Sequence, residues 1–151
     1  MEKVTKDILI IGGGLAAMMA ALEASKFSSS VLMVSKGKIG GSGATVMAGC
    51  NFAAVLPDAV EKGDSIAFHI EDTLIGGGYI NDLRLVRTLA ENAPKDLLLL
   101  EELGVGFIKR EGNFDLRKPP GHRNLRTVFT SNPGFPMRIR GRSITDPLRR
   151  I

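Results

Sequence analysis

At 151 residues the chain has the length of one domain, and its 44% hydrophobic and 24% charged residues give it the means to bury a core. It has no 18-residue apolar stretch and no N-terminal signal-peptide pattern, so the sequence predicts a cytoplasmic protein without direct membrane insertion. A single cysteine, Cys50, excludes an internal disulfide and any metal site built on paired cysteines, and reads as a small buried apolar residue.

The first element is a strand, Asp7 to Ile11, which runs directly into Gly12-Gly13-Gly14-Leu15-Ala16-Ala17. This G-x-G-x-x-A turn opens an Ala-rich helix, Ala16 to Lys26, followed by a short apolar run, Val31 to Val34, suited to a parallel strand buried on both faces. The pattern is that of a β-α-β unit that holds a pyrophosphate. Gly12 permits the tight turn, Gly14 has no Cβ to keep the backbone from the phosphates, and Ala17 lets the helix pack close to the sheet. The helix N-terminus adds unpaired N–H groups and a partial positive charge. Where a dinucleotide fold usually places an acid on the ribose, this chain has Ser35-Lys36. On these residues NAD, NADP and FAD all remain open.

Lys36 to Asn51 carries five glycines in sixteen residues, with Ile39, Val46, Met47 and Cys50 at intervals. Small residues allow a backbone to approach a flat ligand and apolar ones anchor it, so the stretch reads as a ligand-wrapping loop. Asp64-Ser65 caps a helix through about Ile75. Asn81 or Asp82 caps the next, through about Asn92, with Leu83, Val86, Leu89 and Ala90 on one face; Pro94 opens a third, Lys95 to Leu103, stopped by Gly104. Phe107 to Lys109 and Phe114 to Arg117 flank Glu111-Gly112-Asn113 as a small β-hairpin, and a short strand is predicted over Arg126 to Thr130. Thr145 or Asp146 before Pro147 looks like the cap and first position of a helix that the sequence cuts off.

Charge is uneven along this path: residues 1–108 hold 9 Lys/Arg and 13 Asp/Glu, residues 109–151 hold 11 and 3. The basic residues of the second part alternate with turns and prolines, with little aromatic interleaving, so they read as a solvated or anionic-ligand-facing surface and not as a nucleic-acid site. His69, in mid-helix between Phe68 and Ile70, reads as structural; His122 sits in a Gly-His-Arg loop. With no cluster of Asp, Glu, His or Cys at ligand spacing and no Ser-His-Asp arrangement, no metal is predicted.

Several of these segments together resemble a known family. Ser35-Lys36-Gly37, Gly43-Ala44-Thr45-Val46-Met47-Ala48-Gly49, His69-Ile70-Glu71-Asp72-Thr73, Glu102-Leu103-Gly104-Val105 and Gly121-His122-Arg123 are similar in order and spacing to the FAD-binding part of the succinate dehydrogenase and fumarate reductase flavoprotein subunits. L-aspartate oxidase and the α subunit of adenylylsulfate reductase belong to the same group. The resemblance implies an α/β fold: a Rossmann-like FAD-binding β-α-β unit with additional helices and a small hairpin, forming an incomplete FAD domain. Its parts are the nucleotide unit at 1–35, a flavin-wrapping loop at 36–60, helices at 61–104, and the hairpin with a basic loop at 105–151.

By position, Gly12, Gly13, Gly14, Leu15, Ala16 and Ala17 are implied to hold the pyrophosphate of FAD, Ser35, Lys36 and Gly37 to lie near the adenosine ribose, and Ser42, Gly43, Ala44, Thr45, Ala48 and Gly49 to follow the ribityl chain and ring. Ala44 stands where succinate dehydrogenases carry the histidine joined covalently to the flavin, so the FAD is implied to be non-covalent. The family's Ala-Gln-Gly-Gly is here Ala48-Gly49-Cys50-Asn51. The substrate histidines, the proton-donating arginine and the later strands lie beyond the equivalent of Ile151. The resemblance thus implies the N-terminal portion of an electron-transport oxidoreductase that moves a hydride between flavin and a dicarboxylate, or one of the L-aspartate oxidase or adenylylsulfate reductase kind, with an iron–sulfur subunit, a quinone or oxygen as its electron partner. It places no catalytic residue in this stretch, and the expectation for the chain alone is inactivity, weak or no binding of FAD, and self-association through apolar sheet edges.

Overall fold

The computed structural model describes residues 3–131 and 134–151. Two compact units form, one from the chain up to Cys50 together with residues 132–151, the other from Asn51–Ser131.

In the first unit, β1 (Ile8–Ile11) leads through the glycines into α1 (Leu15–Ser25), and β2 (Val31–Val34) returns beside β1. The strands are parallel, with Ile8 opposite Val31 and Ile11 opposite Val34. The β-α-β unit is therefore present as the periodicity predicts. The burial on both faces expected for Val31 to Val34 is not met, since Val34 is 48% exposed, and on β1 Leu9 is 57% and Ile11 82% exposed, because this sheet has two strands. On the other side, Met18 and Leu22 of α1, Val31 and Met33 of β2, and Ile39 border an apolar cleft of about 510 Å³.

The stretch expected as a continuous loop contains α2 (Ala44–Met47), a single turn of helix, and its last residue already belongs to β3 (Asn51–Ala53). Val46 is buried and anchors that turn, while Met47 is exposed. At the far end of the chain lies α6 (Arg142–Leu148), which begins before the Thr145 or Asp146 cap the sequence suggests. Gly141 is its N-cap, and Thr145, Asp146 and Pro147 are interior. Ile144 and Leu148, four apart, face the core of this unit, and that burial outweighs the one hydrogen bond that Pro147 cannot donate.

The second unit is built on two helices. After α3 (Pro57–Glu61), α4 (Ile66–Gly76) starts at Ser65, whose hydroxyl accepts the Phe68 N–H at 3.1 Å. Next, α5 runs unbroken over Leu83–Glu102 from its Asp82 cap, where the sequence predicts two helices. Pro94 lies inside it and does not end it. Val86, Ala90, Ala93, Leu97 and Leu100 form one buried stripe on both sides of the proline, and small Ala90 stands four residues before it, where the ring needs room. Leu83 and Leu89, predicted on that face, are exposed.

Strand β3 pairs antiparallel with β6 (Thr127–Phe129), Ala53 opposite Thr127. The hairpin is tighter than predicted: β4 (Lys109–Arg110) meets β5 (Asn113–Phe114) across a two-residue turn, Glu111 and Gly112, both at positive φ. That is the turn whose twist matches antiparallel strands. Among the described residues, no helix is long and apolar enough to cross a membrane.

Candidate functional site

The β1–α1 corner gathers residues from three parts of the first unit. Gly12, at φ +135°, turns the chain off β1 in a conformation that a side chain strains, and its N–H donates to the Val34 carbonyl at 2.8 Å. The Gly13 carbonyl accepts the Gly40 N–H at 2.8 Å, and a Cβ on Gly13 would stand 2.5 Å from Ser35 Oγ. A Cβ on Gly14 would lie 3.3 Å from Thr45 Oγ1, the oxygen that accepts the Leu15 N–H at 3.1 Å. Gly14 is the N-cap of α1 and supplies no side-chain cap.

Gly12, Gly13, Gly14, Leu15, Ala17, Ser35 and Thr45 are thus brought together. Ala16 is exposed on the first turn of α1 beside them. The first-turn N–H groups of any α-helix lack partners within it, and among the described residues Thr45 Oγ1 accepts that of Leu15. A bare helix end with no acid in its first turn suits an anion, and the glycines leave room for its approach. The residues present fit a pyrophosphate.

Beyond the corner, Lys36 and Gly37 are exposed, and Gly37 lies against Ser42, whose Oγ is 3.4 Å from where a Cβ would be. Ser42, Gly43, Ala44, Ala48 and Gly49 are exposed along one stretch, with nothing within 4 Å of a Cβ on Gly43 or Gly49. Cys50 is buried, as its residue type suggests, and its thiol donates to the Ala48 carbonyl at 3.2 Å. Sequence reasoning missed Gly40, whose only signal was its place in a Gly-Gly pair.

The second unit holds a different cluster. Arg126, expected on a basic surface, is fully buried: Nε and Nη2 donate to the two Asp64 oxygens at 2.8 and 2.7 Å, and Nη1 to Asp72 at 2.7 Å. Arg123 also pairs with Asp72, at 2.6 Å, and with Glu71 at 2.9 Å, so these two arginines correct the reading of a purely solvated or ligand-facing basic half. The available signal was Asp72 itself, an acid three residues after His69 on the inner face of an apolar helix. His69 is 2% exposed, its ring 6.3 Å from that of His122. Burial, reinforced by the Arg126 charge, lowers the His69 pKa to about 4. Burial pushes the Asp72 carboxyl up, but the Arg123 N–H and guanidinium and the Arg126 guanidinium outweigh it and bring the pKa to about 2. Asp64 is lowered in the same way, burial being outweighed by hydrogen bonds from Arg126, Asn124 and the Ser65 N–H.

These shifts set an acid limit. Between pH 6.5 and about 4 the unfolded chain protonates His69 and the folded chain does not, so folding stability falls as pH drops through that window. The loss is roughly 3 kcal/mol for the full shift. Below pH 4 the unfolded chain also protonates Asp72 ahead of the folded one, and stability falls further toward about pH 2. Denaturant midpoints measured from pH 7 to 3 are expected to decline in this order; a flat profile between pH 6.5 and 4.5 contradicts the His69 assignment.

Among the described residues, no group of three or more His, Cys, Asp or Glu is placed to hold a metal ion. The sequence model of the FAD binding domain matches residues 7–150. The chain belongs to that family. An uncharacterised FAD-dependent oxidoreductase of Methanocaldococcus jannaschii is 45% identical over 124 residues, 82% of this chain and 22% of that one. A subunit of the CoM/CoB fumarate reductase of Methanothermobacter marburgensis is 44% identical over 124 residues, again 82% of this chain and 22% of its own length. Succinate dehydrogenase flavoprotein and L-aspartate oxidase chains are also among the relatives. The fold matches Escherichia coli quinol fumarate reductase with a TM-score of 0.84 at 26% identity, over 99% of this chain and 24% of that one. The chain therefore spans about a quarter or less of the length of these relatives. It carries the FAD-binding region of the fumarate reductase and succinate dehydrogenase flavoproteins, as the sequence resemblance implied.

Proposed function

We propose that this chain cradles FAD for an oxidoreductase of the fumarate reductase type, with the cofactor held non-covalently and a dicarboxylate as the substrate of the whole protein. The observation that carries the reading is the N-terminus of α1, whose N-cap Gly14 supplies no side-chain cap, flanked by Gly12 and Gly13 and bridged to Thr45 through the Leu15 N–H. Gly12, Gly13, Gly14, Leu15, Ala16 and Ala17 hold the pyrophosphate. Ser35, Lys36 and Gly37 meet the adenosine ribose; Ser42, Gly43, Ala44, Thr45, Ala48 and Gly49 border the ribityl chain and ring. Ala44 has no nucleophilic atom, so it forms no bond to the flavin. The flavin supplies hydride transfer when bound, and the chain's residues supply placement and electrostatics. For the whole protein we propose a dicarboxylate as the hydride's exchange partner and an iron–sulfur subunit as its electron partner.

Titration of the chain with FAD, read by flavin fluorescence, tests the cradle. Weak but saturable quenching reversed by ADP is expected, because ADP competes for the same corner and the chain alone supplies only part of the FAD domain. Quenching that ADP leaves untouched, or no quenching at all, overturns the reading.

A further inference from the structure

The last helix, α6, grips the segment around the nucleotide corner at two places. Gly141, its N-cap, donates its N–H to the Val46 carbonyl at 3.0 Å, and a Cβ there would collide with the Thr45 backbone. One turn on, the Thr145 hydroxyl donates to the Gly40 carbonyl at 2.7 Å, across 105 positions of sequence. A helical threonine ordinarily returns its hydroxyl to the carbonyl four residues back. Thr145 is fully buried and reaches another segment instead.

Gly40 has φ +67°, and a Cβ on it would come within 2.9 Å of Thr145 Cβ, so the two backbones are as close as glycine allows. The Gly40 N–H in turn donates to the Gly13 carbonyl at 2.8 Å. A continuous path therefore runs from the Thr145 hydroxyl through Gly40 to the middle glycine of the corner. The other grip, from the Gly141 N–H, ends beside Thr45, whose oxygen holds the Leu15 N–H.

We infer that Thr145 is a positioning residue for the phosphate corner: without touching the nucleotide, it fixes Gly40, which sets Gly13. This rests on the FAD reading above. Thr145→Val keeps the shape and removes the donor, leaving a buried carbonyl unpaired; Thr145→Ser keeps the donor. In the full chain, Thr145→Val is expected to weaken FAD and ADP alike by about tenfold, the equivalent of one such hydrogen bond, with Thr145→Ser restoring both to within about twofold of the parent. FAD affinity equal to the parent in Thr145→Val, or a serine variant no better than valine, overturns the inference. Hydrogen exchange of the Gly40 amide in the ligand-free chain decides it separately from the FAD reading. Faster exchange in the valine variant supports the path; equal exchange in parent and valine variant refutes it, even if the parent itself takes up no FAD.

Discussion

Replacing Arg126 by methionine is expected to cost about 3–5 kcal/mol of folding stability, the range for removing one partner from a buried ion pair. The guanidinium is wholly enclosed and bridges two acids, Asp64 through two nitrogens and Asp72 through the third. Methionine fills much of the volume but strips Asp64 and Asp72 of their shared cation, leaving Asn124 and the Ser65 N–H beside the first and Arg123 beside the second among the described residues. Arg126→Lys recovers little, since an ammonium cannot reproduce a planar fork shared between two carboxylates. Neutralising both acids along with the arginine (D64N, D72N and R126M together) is expected to regain a good part of the loss, because the penalty comes from stranded charge. Urea unfolding of the single and triple variants checks both statements. A methionine variant as stable as the parent would mean that the cluster contributes nothing net.

The second large effect falls on cofactor affinity. Gly14→Val is expected to weaken FAD by roughly 10–100-fold, the loss of one or two charge-assisted hydrogen bonds from the helix end. Gly14 suits the test better than Gly12, because at φ −84° it lies in a region open to valine, whereas Gly12 at φ +135° does not. The added Cβ stands 3.3 Å from Thr45 Oγ1 and its methyl groups displace that hydroxyl from the Leu15 N–H while crowding the phosphate position. Thermal unfolding should move far less than affinity. Calorimetric titration with FAD gives the answer, and undiminished binding by the valine variant would place the nucleotide elsewhere.

What the sequence made legible was local. The β-α-β unit follows from apolar runs and a glycine turn whose consequences act within a few residues, and Ser65 and Asp82 announce their helices by type. Pro94 misled because a proline penalty is local while the stripe from Val86 to Leu100 is sustained over the whole helix. Thr145 misled for the opposite reason: its residue type suits a cap, but its partner Gly40 lies on a distant segment that no spacing connects to it. The Arg126 cluster was hidden in a run of basic residues, since only folding brings Asp64 and Asp72 against one of them. At the candidate site, the glycine fingerprint pointed to the corner, and the resemblance pointed to Ser35 and Thr45, which the fold sets beside it.

If the phosphates of FAD rest on the start of α1, the amide resonances of the isotopically labelled chain will report it as FAD is added. The largest shifts are then expected at Gly12 to Ala17 and Thr45, and ADP alone should reproduce them. Shifts confined to residues of the Asn51–Ser131 unit, with Gly12 to Ala17 unmoved, would contradict a nucleotide site at this corner.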